Sequence, residues 1–266
     1  MTARTFLVSG LLAGLIAGLA AFAVAFVVGE PQVETAIGLE ESTAAPAGAG
    51  SEDHAHAPGT PAEHSHGDED AAVSRTVQST IGLLTGNLAV GVALGGLVGL
   101  ASAGAVGRLG RLTPRQSTGL VAAVGFVGFA LVPFLKYPAT PPAVGSGDTI
   151  GDRTALYFAF VAISLAAAVV AVLVGRRIAA SSGAYLGLVA GVSAYLVVVM
   201  VAGTLMPTVN EVGDFPADTL WFFRRASLLV LATMWAALGL ALAGLIGREH
   251  DKAVAVQRRR ELATSL

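Results

Sequence analysis

The run Thr5-Phe-Leu-Val-Ser-Gly-Leu-Leu-Ala-Gly-Leu-Ile-Ala-Gly-Leu-Ala-Ala-Phe-Ala-Val-Ala-Phe-Val-Val28 carries no charge and, after Thr5, one polar side chain, Ser9. An apolar stretch of about 20 residues crosses the roughly 30 Å hydrocarbon layer as a helix. It exceeds the 7–15-residue apolar core of a cleaved signal peptide, so it reads as a retained span, ended by Glu30 and Pro31. Gly10, Gly14 and Gly18 recur every four residues and share one face, where a neighbouring helix can come close. The plain abundance of glycine in membrane helices is the competing explanation.

Five more such runs follow, at about Val77–Val106, Ser117–Leu135, Thr154–Val174, Ala184–Met206 and Leu220–Ile246. With 266 residues, 54% hydrophobic and only 13% charged, the chain is more apolar than a soluble core of this size requires. The expected fold is all-α and integral to the membrane, a six-helix transmembrane bundle in contact with the lipid bilayer. Residues 1–29 form the first helix, 30–76 a disordered extracytoplasmic loop, 77–247 a five-helix bundle and 248–266 a basic tail. The second run also has glycine spacing, at Gly82, Gly86, Gly91, Gly95 and Gly99. No cysteine is present, which excludes thiolate metal sites and disulfides. A net charge of −2 gives no reason to expect a nucleic-acid partner.

Arg4, Arg108, Arg111, Arg115, Arg176, Arg177, Arg248, Lys252, Arg258, Arg259 and Arg260 fall on one side of a six-span chain; Arg75, Lys136, Arg153, Arg224 and Arg225 fall on the other. The positive-inside rule then predicts two cytoplasmic termini and an outward-facing loop.

That loop holds Ser-Glu52-Asp53-His54-Ala-His56 and, further on, His64-Ser-His66-Gly-Asp68, four of the chain's five histidines. In extended backbone, residues two apart project the same way, so each His-x-His pair can reach one ion. Imidazole suits first-row transition metals, and carboxylates add charge and oxygen ligands. His54, His56, His64, His66, Glu52, Asp53 and Asp68 are therefore candidate metal ligands. An acidic tether without a ligand is the alternative for a tract of this composition. A second outward group, Lys136, Asp148, Arg153, Asn210, Glu211, Asp218, Arg224 and Arg225, is a candidate transit rim, with Asn210 and Glu211 the favoured pair. Ion pairing between these arginines and Asp148, Asp152, Glu211, Asp214 or Asp218 would instead make the rim structural.

The run Phe134-Leu-Lys136-Tyr137-Pro138-Ala-Thr-Pro141-Pro142-Ala-Val-Gly145-Ser-Gly-Asp148-Thr149-Ile150-Gly-Asp-Arg153-Thr154-Ala-Leu-Tyr157 resembles a signature of the CbtA family of cobalt transporter subunits. So does Pro207-Thr-Val-Asn210-Glu211-Val-Gly-Asp-Phe215-Pro216-Ala217-Asp218-Thr-Leu220-Trp221-Phe-Phe-Arg224-Arg225-Ala-Ser227-Leu228. The resemblance implies five or six helices, cobalt uptake for cobalamin biosynthesis and a small single-span partner, CbtB. It also implies Co²⁺ as the ion, with Ni²⁺ or Zn²⁺ as alternatives; ligand chemistry alone would favour Cu²⁺ and Ni²⁺ over Co²⁺. Two separated His-x-His pairs depart from a dense histidine run.

No phosphate-binding Gly-x-x-x-x-Gly-Lys loop, His-Glu-x-x-His run or Gly-x-Ser-x-Gly elbow occurs, so a non-enzyme is expected. The expected function is a membrane subunit for transition-metal uptake, with a non-transporting metal receptor or scaffold as the alternative. A homo-oligomer is compatible with either.

Overall fold

A computed structural model describes residues 1–44 and 73–265, and regular structure among them is entirely helical. Six helices are long and apolar enough to cross a membrane: α1 (Ala3–Thr43), α2 (Arg75–Ala105), α3 (Pro114–Lys136), α4 (Gly147–Ser182), α5 (Ala184–Leu205) and α6 (Ala217–Thr264). The chain is a multi-pass membrane protein. One end of the bundle carries the turns after α3 and α5 and the chain leading into residues 45–72; it is called the loop face. The other carries the α2–α3 turn and the α6 extension, and is called the tail face.

Lipid is as apolar as leucine, so helices in a membrane associate by close packing rather than by escape from water. Glycine provides that closeness between α1 and α2, which run antiparallel. A Cβ on Gly91 would sit 2.5 Å from the Gly14 carbonyl oxygen, one on Gly99 2.5 Å from that of Phe6, and one on Gly18 2.7 Å from that of Asn87. Gly10, Gly14 and Gly18 are thus contact residues, and so are Gly91, Gly95 and Gly99. Gly82 and Gly86 are not: Gly82 lies within a π turn and Gly86 has nothing within 4 Å. A second close approach joins α4 to α5, where a Cβ on Gly175 would fall 2.8 Å from the Gly187 oxygen. The hydroxyls of Ser164 and Tyr195, 2.8 Å apart and buried, cross the same interface.

Phe6, Ala13 and Ala17 of α1, Leu94 and Val98 of α2, Ala122 and Ala130 of α3, and Trp235, Leu238, Leu242 and Ile246 of α6 form one buried core. Phe160, Ala167 and Ala171 of α4 with Tyr195 and Val199 of α5 form another. The second leans on Val124, Val127 and Val132, so α3 joins the two.

The first helix does not stop at Glu30 and Pro31. It turns through a π segment at Ala25–Gly29 and continues beyond the membrane length. Proline lacks an N–H, and its ring collides with the carbonyl four residues back. The wide turn removes both problems: the Glu30 N–H reaches back five residues to Ala25, immediately before Pro31. Pro133 in α3, expected at an extended exit, is absorbed in the same way. It follows a π segment at Phe126–Leu131 in which the Val132 N–H bonds to the Val127 oxygen. A third π segment, Gln78–Gly82, opens α2. All three lie in the half of the bundle nearer the loop face.

Nor is the basic tail a coil. After Gly247 no glycine or proline interrupts a stretch rich in Ala, Arg, Glu, Lys and Leu, and α6 runs on to Thr264.

Gly95→Ala is expected to destabilise the protein by about 1–3 kcal/mol through overpacking. Gly86→Ala, which meets no neighbour, leaves stability unchanged or slightly raised. Thermal unfolding of the two variants in the same detergent checks the pair.

Candidate functional site

At the loop face, the connection after α3 and the connection after α5 are stitched together. The Tyr137 hydroxyl donates to the Pro207 carbonyl at 2.8 Å, and the Lys136 ammonium donates to the Met206 carbonyl at 3.3 Å. Glu211 is the hub: one carboxylate oxygen accepts from the Ser146 N–H at 3.2 Å and the Thr149 hydroxyl at 2.8 Å, with Arg153 Nε 3.6 Å away. Arg153 also donates to the Ser146 carbonyl at 3.0 Å.

The Pro-Pro sequence shapes the first connection. The Val144 N–H bonds to the Pro141 carbonyl at 3.3 Å, closing a turn whose third residue, Ala143, has φ 68°. That position is usually glycine, and the turn tucks Val144 into the protein. Gly145 follows at φ 94° with the Arg153 guanidinium against its face, where any Cβ would collide with the guanidinium carbon and nitrogens. The backbone conformation is what favours glycine there; the guanidinium, at the end of a flexible side chain, would be displaced by a Cβ.

Behind this stitched rim lies a pocket of about 850 Å³ between α1, α3, α4 and α6. Phe134, Tyr137, Tyr157, Phe158 and Leu231 give it an apolar wall; Glu30, Arg153, Glu211 and Arg224 supply its charges. Glu30 is ion-paired with Arg75, which ties α1, well before its end, to the first residue of α2. One turn beyond Leu231, the Trp235 ring packs against Phe126 and Phe129, with centroids 6.5 and 6.0 Å away. Gly125 makes room for it, since a Cβ there would come within 2.6 Å of the indole. An aromatic cluster therefore lies one helical turn past Leu231, the last residue of α6 that lines the pocket.

Of the rim residues singled out in the sequence, Arg153, Glu211 and Arg224 line the pocket and Lys136 braces its edge. Asp148, Asn210 and Asp218 are exposed, and the Asp218 carboxylate accepts from the neighbouring Thr219 N–H at 2.9 Å. Arg225 also points away, its guanidinium 4.9 Å from the Phe222 ring centroid. The favoured Asn210–Glu211 pair is thus split, and among the described residues only Arg153 makes the anticipated rim ion pair. His54, His56, His64, His66, Glu52, Asp53 and Asp68 lie outside the described residues. Among the described residues no three His, Cys, Asp or Glu side chains come together to hold a metal ion.

Glu30 was missed, having been read only as the end of a span. The usable signal is its isolation as the first acid after an uncharged run, with Arg75 the single Lys or Arg of residues 30–76 to answer it.

An all-helical, six-span chain with a solute-sized vestibule opening at one face belongs to the multi-pass membrane proteins. Residues 3–247 match the family described as "Probable cobalt transporter subunit (CbtA)", nearly the whole length, and the chain belongs to that family. No curated protein and no solved structure matches the chain.

The Thr149 hydroxyl, the Ser146 N–H and the Arg153 charge together hold the Glu211 carboxyl below its usual pKa, partly opposed by desolvation. A depressed carboxylate pKa stabilises the folded state above the unfolded pKa, and the contribution is lost as pH falls through the folded one. Wild type should lose thermal stability below the ordinary carboxylate range relative to Glu211→Gln, whose own midpoint lacks this component. Parallel melts from pH 7 down to about pH 2.5 test it. Tyr137→Phe removes one cross-link and should cost about 0.5–1.5 kcal/mol.

Proposed function

We propose that this chain is the membrane subunit of a cobalt-uptake system in a bacterial inner membrane, with its loop face outward and both termini in the cytoplasm. The histidine pairs of residues 45–72 gather the cation and release it into the pocket between α1, α3, α4 and α6. The observation that carries this reading is the Glu30–Arg75 ion pair. Arg75 follows directly on the ligand-bearing segment, and its partner Glu30 lines the pocket. Family membership supports cobalt as the substrate.

Passage across the membrane needs no nucleotide in this scheme. A membrane potential favours entry of a divalent cation by about 4.6 kcal/mol per 100 mV, at about 2.3 for each charge. A small single-span CbtB-like subunit is the proposed partner; the exposed apolar surface of α5, which packs chiefly on α4, is available to a further helix. A second reading, a receptor that gathers metal for a separate transporter, is favoured by spans that carry almost no ionisable side chains below the rim.

Uptake of radioactive cobalt into proteoliposomes separates the two. The purified chain, with or without the small subunit, should accumulate cobalt. Replacing His54, His56, His64 and His66 together by alanine should lower the rate several-fold at limiting metal and little at saturation. Metal binding without any uptake, in either preparation, would leave the receptor.

A further inference from the structure

The charges in the pocket do not sum to a cation site. Glu30 is paired with Arg75, and Glu211 is held by Arg153, Thr149 and Ser146. The charge left over is positive: Arg224 makes no ion pair among the described residues. Its one protein hydrogen bond runs from Nε to the Ala139 carbonyl at 3.4 Å. A guanidinium offers five N–H donors in a planar fork, so the side facing the cavity retains its bidentate capacity. Arg224 sits seven residues into α6, among Phe134, Phe223 and Tyr157. A partly buried guanidinium facing such a lining is stabilised by a compensating anion. A bare dication would be repelled by it.

Size points the same way. Six waters at roughly 30 Å³ each bring a hydrated divalent ion to roughly 200 Å³, against a pocket of about 850 Å³. The excess volume is walled by aromatic and aliphatic carbon, with the Thr140 and Ser227 hydroxyls among it. Such a lining suits a ligand with a carbon body and a few polar atoms.

We infer that Arg224 makes this pocket an oxyanion site, taking a carboxylate or phosphate group carried either by an organic chelator around the metal ion or by a lipid headgroup. In the first case, which rests on the cobalt-uptake reading, the substrate of the membrane step is a cobalt–carboxylate complex rather than the free ion. The fork of Arg224 grips the carboxylate in two parallel hydrogen bonds, and the chelator offsets the metal's charge as it meets the arginines; the membrane potential then acts on the net charge of the complex rather than on a bare dication.

The test uses the full-length chain in nanodiscs of phosphatidylcholine alone, with radiolabelled citrate as the probe, offered with and without equimolar Co²⁺. In parallel, lipids retained by the detergent-purified chain are identified by mass spectrometry. Arg224→Gln should weaken binding of the cobalt–citrate complex at least tenfold. Arg224→Lys, which keeps the charge but not the fork, should fall between, and its unchanged melting temperature would exclude misfolding as the cause. If the wild type instead retains one anionic phospholipid that Arg224→Gln loses, and citrate does not bind, the headgroup is the source. Equal anion binding by the wild type and Arg224→Gln, or none by the folded wild type, overturns the oxyanion site. These readouts need no transport. A chain that binds the complex yet moves no cobalt removes the uptake reading alone. Uptake of free Co²⁺ at wild-type rate by Arg224→Gln, with no anion bound by either form, removes the oxyanion site alone.

Discussion

The direct meeting of the α1 and α2 backbones is the constraint on which the rest of the bundle depends. With no side chain on Gly14, Gly91, Gly95 or Gly99, the two helices approach to a separation that any Cβ would forbid. Dispersion between many atoms in contact replaces the hydrophobic drive that a membrane does not supply. Once that pair is fixed, α6 packs along α1, α3 packs along α6, and the space left at the loop face becomes the pocket. The α4–α5 pair repeats the device with Gly175, Gly187 and Gly191, and closes the pocket from the side through Arg153, Tyr157 and Phe158.

The rim is built differently, from polar cross-links between two connections far apart in sequence. Glu211, at its centre, is satisfied by a hydroxyl, a backbone N–H and a guanidinium, which suits a structural post better than a free ligand. Charges used in this way leave the cavity with the sign of Arg224. On the uptake reading, a metal would enter a cavity lined by an arginine without an ion-pair partner among the described residues, and the chemistry of whatever accompanies it would become part of recognition.

Much of this was legible in the chain. Six spans follow from apolar length alone, and the glycine spacing of α1 marks its contact face because Gly10, Gly14 and Gly18 sit on one side of a helix. What failed were places where a tertiary partner decides the outcome. Pro31 and Pro133 read as stops, since one sequence cannot show that a π turn will open ahead of them. Gly82 and Gly86 share the spacing of Gly91 and Gly95, yet α1 faces only the latter pair. Asn210 and Glu211 are adjacent, but on an irregular connection adjacency does not mean a shared direction, and only the glutamate turns inward. Arg153 and Arg224 looked equivalent; the first met an acid across the rim and the second did not. The histidine pairs stand as a reading of composition, outside the described residues.

The aromatic cluster of Trp235, Phe126 and Phe129, one turn past the pocket, has an electrical consequence. From Arg224 to Leu231 the pocket follows α6 for about 10 Å. A vestibule open to solvent carries the potential of its own face inward, since water and ions screen fields that protein and lipid do not. Less of the membrane voltage then falls across the vestibule, and more of it across the helix length beyond Leu231. The insulating layer is thinner and the gradient within it steeper, so small displacements of charge near Trp235 couple to voltage more strongly than equal displacements at the rim.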